Sequence, residues 1–163
     1  MSLPEDLSLR PEQIGDEAFL FEVYASTRAE ELALTNWDQA IRQTFLAMQF
    51  RAMRQGYRSL FPSGEFGIIE SAGQRAGLLV VNRDAAEIRV VDIALAPEHR
   101  NRGIGTLLMR QICAEAAEKG TAVRLNVLKN NPAARWYARL GFRKVGETGI
   151  YDELEWRAAA QPA

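Results

Sequence analysis

Ala96-Pro97-Glu98-His99-Arg100-Asn101-Arg102-Gly103-Ile104-Gly105-Thr106-Leu107-Leu108 is the stretch from which the fold of this chain can be worked out. An apolar run, Ile88 to Leu95, leads into it, and an amphipathic pattern from Ile104 leads out, so it joins a strand to a helix. Glycine lets backbone N–H groups come close to a ligand, and a helix start offers unpaired N–H groups at the positive end of its dipole. Arg100 and Arg102 add charge-assisted donors beside Gly103 and Gly105. Such a nest suits a pyrophosphate. A Walker loop would need a Gly-Lys-Ser/Thr ending, and the first lysine is Lys119; a dinucleotide fingerprint would need a third glycine where Leu108 stands.

A second segment lies downstream. Asn130-Asn131-Pro132-Ala133-Ala134-Arg135-Trp136-Tyr137-Ala138-Arg139-Leu140-Gly141-Phe142 puts Ala133, Trp136, Tyr137 and Leu140 on one helical face, with Gly141 placed as a C-terminal stop. Arg-x-x-Gly-x-Gly from Arg100 to Gly105 resembles the coenzyme A loop of the GNAT superfamily of acetyl-CoA-dependent N-acetyltransferases. Asn130, Ala133, Tyr137, Gly141 and Phe142 fall without a gap on that superfamily's Asn-x-x-Ala-x-x-x-Tyr-x-x-x-Gly-Phe segment. The two motifs, in this order with a helix and a strand between, cover about a third of the chain.

Composition bounds the rest. At 163 residues the chain has a single-domain length with room for a full core. A net charge of −1, with arginines scattered among acids, excludes a nucleic-acid partner held mainly by bulk electrostatics. No apolar run approaches the ~20 residues of a membrane span, and the N-terminus lacks a basic-then-apolar signal pattern, so a cytoplasmic location is expected. One cysteine forms no internal disulfide, and no Cys/His cluster offers metal ligands, so no metal is expected.

Read in order, Leu7 to Arg10 alternates as a first strand. Phe19, Leu20, Val23, Tyr24 and Thr27 then recur at helical spacing behind Asp16-Glu17. Thr35-x-x-Asp38 opens a second helix, apolar at Ile41, Phe45, Met48 and Ala52 and stopped near Gly56 or Pro62. Strands are predicted at Glu65–Ser71, Ala76–Val81 and Ile88–Leu95. A helix follows with Ile104, Leu107, Leu108, Ile112 and Ala116 on one face, ended by Gly120. Then come a strand at Ala122–Leu128, a helix at Asn131–Leu140, and strands at Arg143–Thr148 and Tyr151–Trp156. This order predicts an α/β (α+β) single domain over residues 5–157, a mixed central sheet with helices on both faces, flanked by flexible tails at 1–4 and 158–163.

The resemblance implies more. The strands Ile88–Leu95 and Ala122–Leu128 should splay apart, with the pantetheine amides of acetyl-CoA pairing to backbone groups around Ile93, Ala94 and Leu95. Arg100, Asn101, Arg102, Gly103, Ile104, Gly105 and Thr106 should hold the pyrophosphate, with Asn130, Ala133 and Tyr137 also at the coenzyme. Acetyl transfer needs an amine stripped of its proton, a donor to the developing oxyanion and a proton for the leaving thiolate. Tyr137 is placed for the last, and a backbone N–H near Leu95 for the second. Asp92, mid-strand among Val90, Val91, Ile93 and Ala94, is an odd carboxylate that either relays the amine's proton or accepts structurally from an arginine or backbone amide. Asn126 stands where ribosomal-protein N-terminal acetyltransferases carry a catalytic glutamate, which argues against a peptide N-terminal activity of that kind.

His99 reads as a solvated loop residue and Cys113 as small packing. By fold analogy the acceptor mouth is framed by Trp37, Tyr57, Phe61 and Tyr151 with Glu30, Glu31 and Asp152. Aromatic faces and carboxylates there favour a cationic amine, small-molecule or protein-borne. A homodimer, a longer acyl-CoA and a coenzyme A-binding module without turnover stay open.

Overall fold

The computed structural model describes residues 4–159. Its elements are β1 (Leu7–Pro11), α1 (Glu17–Ala33), α2 (Gln39–Leu60), β2 (Glu65–Ser71), β3 (Gln74–Arg83) and β4 (Glu87–Leu95). They continue with α3 (Ile104–Lys119), β5 (Ala122–Leu128), α4 (Ala133–Arg139), β6 (Arg143–Thr148) and β7 (Tyr151–Trp156). This is the order predicted from the sequence, with ends shifted by a residue or two. The expected tails reach into residues 1–3 and 160–163, which lie outside the described residues.

All seven strands form one sheet in the order β1-β2-β3-β4-β5-β7-β6. β1 to β4 run antiparallel, β5 joins β4 in parallel, and β7 inserts antiparallel between β5 and β6. Each face has its own core. On one, α3 and α4 lay Ile104, Leu108, Met109, Ile112, Ala116 and Tyr137 over Ile69, Leu79, Ile88, Val90, Val123 and Leu125. On the other, α1 and α2 lay Leu20, Val23 and Phe50 over Ile68, Leu78 and Val80.

The helices follow local chemistry. Asp38 caps α2, accepting from the Ile41 N–H at 2.9 Å. Thr35, read as part of that cap, instead closes α1, its hydroxyl donating to the Leu32 carbonyl at 2.7 Å. α2 passes through Gly56 and ends at Leu60. Its inward face is also not the predicted one: Leu46, Phe50 and Arg54 are buried, whereas Ile41 and Met48 are exposed. Phe45 turns toward Trp37, ring centroids 5.0 Å apart. An arginine at the third inward position broke the apolar pattern, and the outward residues supplied a false one.

The start of α1 is tied down by Asp16, which is 1% exposed. Two Arg10 nitrogens donate to its two oxygens at 2.8 Å, the Gln13 N–H donates at 2.8 Å, and Arg75 lies 3.0 Å away. The Arg10 hydrogen bonds and that N–H outweigh burial and hold its carboxyl at about 2, below the ordinary 3.8.

Candidate active site

β4 decides the site. Its register against β3 slips between Val80 and Val81: Val80 faces Asp92, but Val81 faces Val90, leaving Val91 as an extra residue. Before this bulge Ile88 and Val90 lie in the core under α3; after it Ile93 and Leu95 take that side, while Val91 and Ala94 pack under α1 and α2. Asp92 therefore shares the α1–α2 side with Ala94 and Ala96. An unbroken alternation would have put it with Ile88 and Val90.

The far half of β4 also loses its neighbour. Parallel pairing with β5 holds only across Glu87–Arg89 and Ala122–Arg124. The Ala96 N–H donates to the Ala76 carbonyl of β3 at 2.8 Å, so strand alternation turns the backbone groups of Ile93 and Leu95 to the opposite, open edge. This is the splay expected from the sequence.

The loop after β4 turns through two left-handed residues into α3. Asn101 and Gly103 both adopt left-handed backbone, at φ 62° and 82°. No side chain caps α3, so its first N–H groups face outward from Gly103. A Cβ at Gly103 would meet nothing, and conformation alone favours glycine there. Gly105 is different: a Cβ would lie 3.3 Å from the Trp136 ring, whose Nε1 donates to Thr106 Oγ1 at 2.9 Å. Trp136 of α4 thus rests on the first turn of α3, and Gly105 makes room for it.

Arg102 is exposed at this loop, and Ile104 is buried as its anchor. Arg100 turns inward instead, its Nε donating to the Leu95 carbonyl at 2.9 Å and one Nη to Ser26 Oγ of α1 at 2.8 Å. His99, read as solvated, is buried, and its Nδ1 has no hydrogen-bond partner. It sits in a single turn, Pro97–His99, that folds the chain back under the loop. Asn130 is exposed; its neighbour Asn131 accepts from the Ala133 N–H at 2.9 Å and starts the α4 turn, leaving Ala133 half-buried.

Tyr137 is buried between Trp136 and Phe142, ring centroids 4.8 and 5.6 Å away. Burial, and then the Asp92 charge, push its hydroxyl up to about 12. Burial pushes the half-buried Asp92 carboxyl up to about 6, against the lowering effects of the Arg54 cation and the Ile93 N–H. The same carboxylate raises Tyr24 of α1 and Tyr57 of α2 on top of their burial, and Tyr57 also feels Tyr151 of β7. Three of the four tyrosines therefore feel one aspartate, and the fourth, Tyr151, reaches the group through Tyr57.

Of the predicted acceptor frame, Tyr57 and Tyr151 join this cluster. Trp37 packs with Phe45 beyond the start of α2. Glu31 pairs with Arg28 at 3.0 Å and Asp152 with Lys144 at 3.2 Å, so each of these acids already has a cation of the same chain beside it. Tyr24 and Arg54 were missed as site residues; Arg54's helical spacing from Leu46, Phe50 and Tyr57 was the available signal. Asn126 is exposed, paired in register with Glu153. Among the described residues no cluster of His, Cys, Asp and Glu could hold a metal ion, and no helix is long and apolar enough to cross a membrane.

Comparison with known proteins gives three findings. Residues 62–144 match the family model of the acetyltransferase (GNAT) domain. A streptothricin acetyltransferase from Streptomyces lavendulae is 36% identical over 94 residues, 55% of this chain and 50% of that protein. The chain thus spans about half the length of this curated relative. In fold, it resembles the PaiA N-acetyltransferase from Thermoplasma acidophilum, crystallised with coenzyme A (TM-score 0.66, 18% identity, 93% of this chain and 99% of that one). It likewise resembles a GNAT family acetyltransferase from Elizabethkingia anophelis with acetyl-CoA bound (TM-score 0.55, 17% identity, 95% and 100%).

Proposed function

Because the chain belongs to the GNAT acetyltransferase family, we propose that it is an acetyl-CoA-dependent N-acetyltransferase passing the acetyl group directly to a primary amine. The observation that carries this reading is the parting of β4 from β5. It leaves the backbone groups of Ile93 and the N–H of Leu95 on an open edge that runs into the loop before the uncapped start of α3, with Asp92 on one side of the sheet and Tyr137 on the other. A thioester arm laid along that edge meets amide partners at Ile93 and Leu95. Its pyrophosphate meets the N–H groups of the Asn101–Thr106 loop and the Arg102 side chain, near Asn130 and Ala133.

In this reading Asp92 takes a proton from the acceptor ammonium, directly or through water. The freed nitrogen forms its bond to the thioester carbon while a β4 backbone N–H near Leu95 donates to the developing oxyanion. As the carbon–sulfur bond breaks, the Tyr137 hydroxyl gives its proton to the leaving sulfur, and the proton still in excess on the new amide nitrogen passes through water to the tyrosinate and restores it. At about 6, Asp92 is mostly ionised at neutral pH yet basic enough to serve; at about 12, Tyr137 keeps its proton until the thiolate forms.

The acceptor we propose is a basic amine. Asp92 and the faces of Tyr24, Tyr57 and Tyr151 favour a cation. The likeness to a streptothricin acetyltransferase supports an amine-bearing antibiotic, beside polyamines and lysine side chains, as the first compounds to try. The test is release of free thiol from acetyl-, propionyl- and succinyl-CoA across an amine panel. Turnover of basic amines with acetyl-CoA is expected. Preference for glutamate or aspartate would reject the cationic acceptor, and coenzyme A binding without thiol release from any pair would replace the enzyme with a binding module.

A further inference from the structure

Arg54 is the one arginine buried among the described residues. Helical spacing puts it with Leu46, Phe50 and Tyr57 on the sheet-facing side of α2. Its guanidinium lies over the rings of Phe50 and Phe66, 5.7 and 5.6 Å from their centroids. One Nη donates to Glu12, whose other oxygen accepts from Arg58 at 3.0 Å, so a single carboxylate serves two guanidinium groups. The remaining Nη1 of Arg54 is buried with no hydrogen-bond partner. A fastening to Glu12 explains the first nitrogen. It does not explain a second left unpaired in the interior, where a missing partner costs the full desolvation of the group.

Phe50 and Phe66 belong to the core in which Val91 and Ala94 flank Asp92. Arg54 and Asp92 are thus opposite charges at inward positions on the same side of the sheet. The groups that act electrostatically on or with Asp92 are Tyr24 of α1, Arg54 and Tyr57 of α2, and Tyr137 of α4, with Tyr151 of β7 behind Tyr57. Arg54 is the cation among them.

We propose that Arg54 is a positioning residue for acetyl transfer: fixed by Glu12 and two phenylalanine rings, it supplies the cation that keeps Asp92 ionised beneath α2. The inference rests on Asp92 acting as the base. Burial alone drives this carboxylate toward its neutral form, and Arg54 opposes it.

Two readouts test this: the acid limb of kcat/KM with a primary amine, and a ¹³C NMR titration of the Asp92 carboxyl in the free protein. Arg54→Met should raise both midpoints by about one pH unit, losing about fivefold in rate near pH 6, approaching about tenfold below pH 5 and much less at pH 8, with KM for acetyl-CoA unchanged. Arg54→Lys should restore the wild-type limb. Glu12→Gln releases the guanidinium from its fastening, so the Asp92 midpoint should rise, by less than in Arg54→Met; this arm does not depend on the Met variant folding. Unmoved midpoints in the Met or Gln variant, with only stability lost, would make Arg54 a fastener and overturn the proposal. If Asp92→Asn itself left the acid limb in place, the base assignment would fail; if it abolished the limb while Arg54→Met left it unmoved, only the role of Arg54 would fail.

Discussion

Asp92 sets stability against activity, and replacing it with asparagine separates the two. Its carboxyl sits at about 6 in the fold against an ordinary 3.8. Ionising it there costs about 3 kcal/mol more than in the unfolded chain. Because the fold holds this proton more tightly, the penalty is absent below about pH 3.8, grows as pH rises to about 6, and is complete at pH 7. Asparagine removes the charge but leaves a half-buried amide to satisfy, which offsets about 1–2 kcal/mol of the gain. The net gain of about 1–2 kcal/mol should raise Tm by about 2–8 °C at pH 7 in a chain of this size. At pH 4, where the charge penalty is almost absent, the amide cost alone should leave the variant about 2–8 °C below wild type. The same variant should lose about 10²–10⁴-fold in kcat/KM for a basic amine at pH 7, recovering as pH approaches the amine's own pKa. Thermal denaturation at the two pH values and thiol release across pH measure both. A lower Tm at pH 7 with an unchanged rate per folded molecule would mean that the carboxylate is a structural acceptor, and the base assignment would be wrong.

Tyr137→Phe keeps the ring stack on Trp136 and Phe142 and removes the hydroxyl; kcat should fall about 10²–10⁴-fold while calorimetric affinity for coenzyme A holds, and equal turnover would return Tyr137 to the core. Asp16→Asn should cost about 1–2 kcal/mol at pH 7, discounted because Arg10 and Arg75 are partly exposed. That contribution is complete above about pH 3.8 and lost as pH falls through about 2, so a deficit in chemical denaturation that persists unchanged at pH 2 would contradict the ion-pair account. At Gly103, asparagine tolerates the left-handed backbone and valine does not: coenzyme A affinity should survive Gly103→Asn and weaken about tenfold or more in Gly103→Val. Equal binding by the valine variant would remove the loop from the phosphate site.

Much of this was legible because short-range chemistry carried it. Alternation, helical spacing, and the glycines at 103 and 105 placed the strand, loop and helix that make the nest, and Ala133–Phe142 placed Tyr137. What stayed hidden depends on neighbours distant in sequence. The inward role of Arg54 comes from Glu12, Phe50 and Phe66, so α2 was read from its outward face. Arg100 looked like a phosphate ligand until the Leu95 carbonyl and Ser26 claimed its donors. His99 looked solvated because a polar residue between Glu98 and Arg100 gives no sign of the turn that buries it. The adjacent pair Val90-Val91 was the one local hint that β4 changes phase, since an even alternation has no place for two apolar neighbours at a half-buried strand.

That phase change gives β4 the character of a text with a shifted reading frame. Residue type puts a carboxylate in the strand, but register decides which side of the sheet receives it. Closing the ladder with β3 without the bulge, at the same residue count, would set Asp92 opposite Leu79 and swing it toward Leu108 and Tyr137, away from Arg54, Tyr24 and Tyr57. The amino acids of the site would all remain, and the site would be gone. Substitutions that keep the bulge can therefore tune the chemistry by degrees, whereas a change of register acts as an on–off operation.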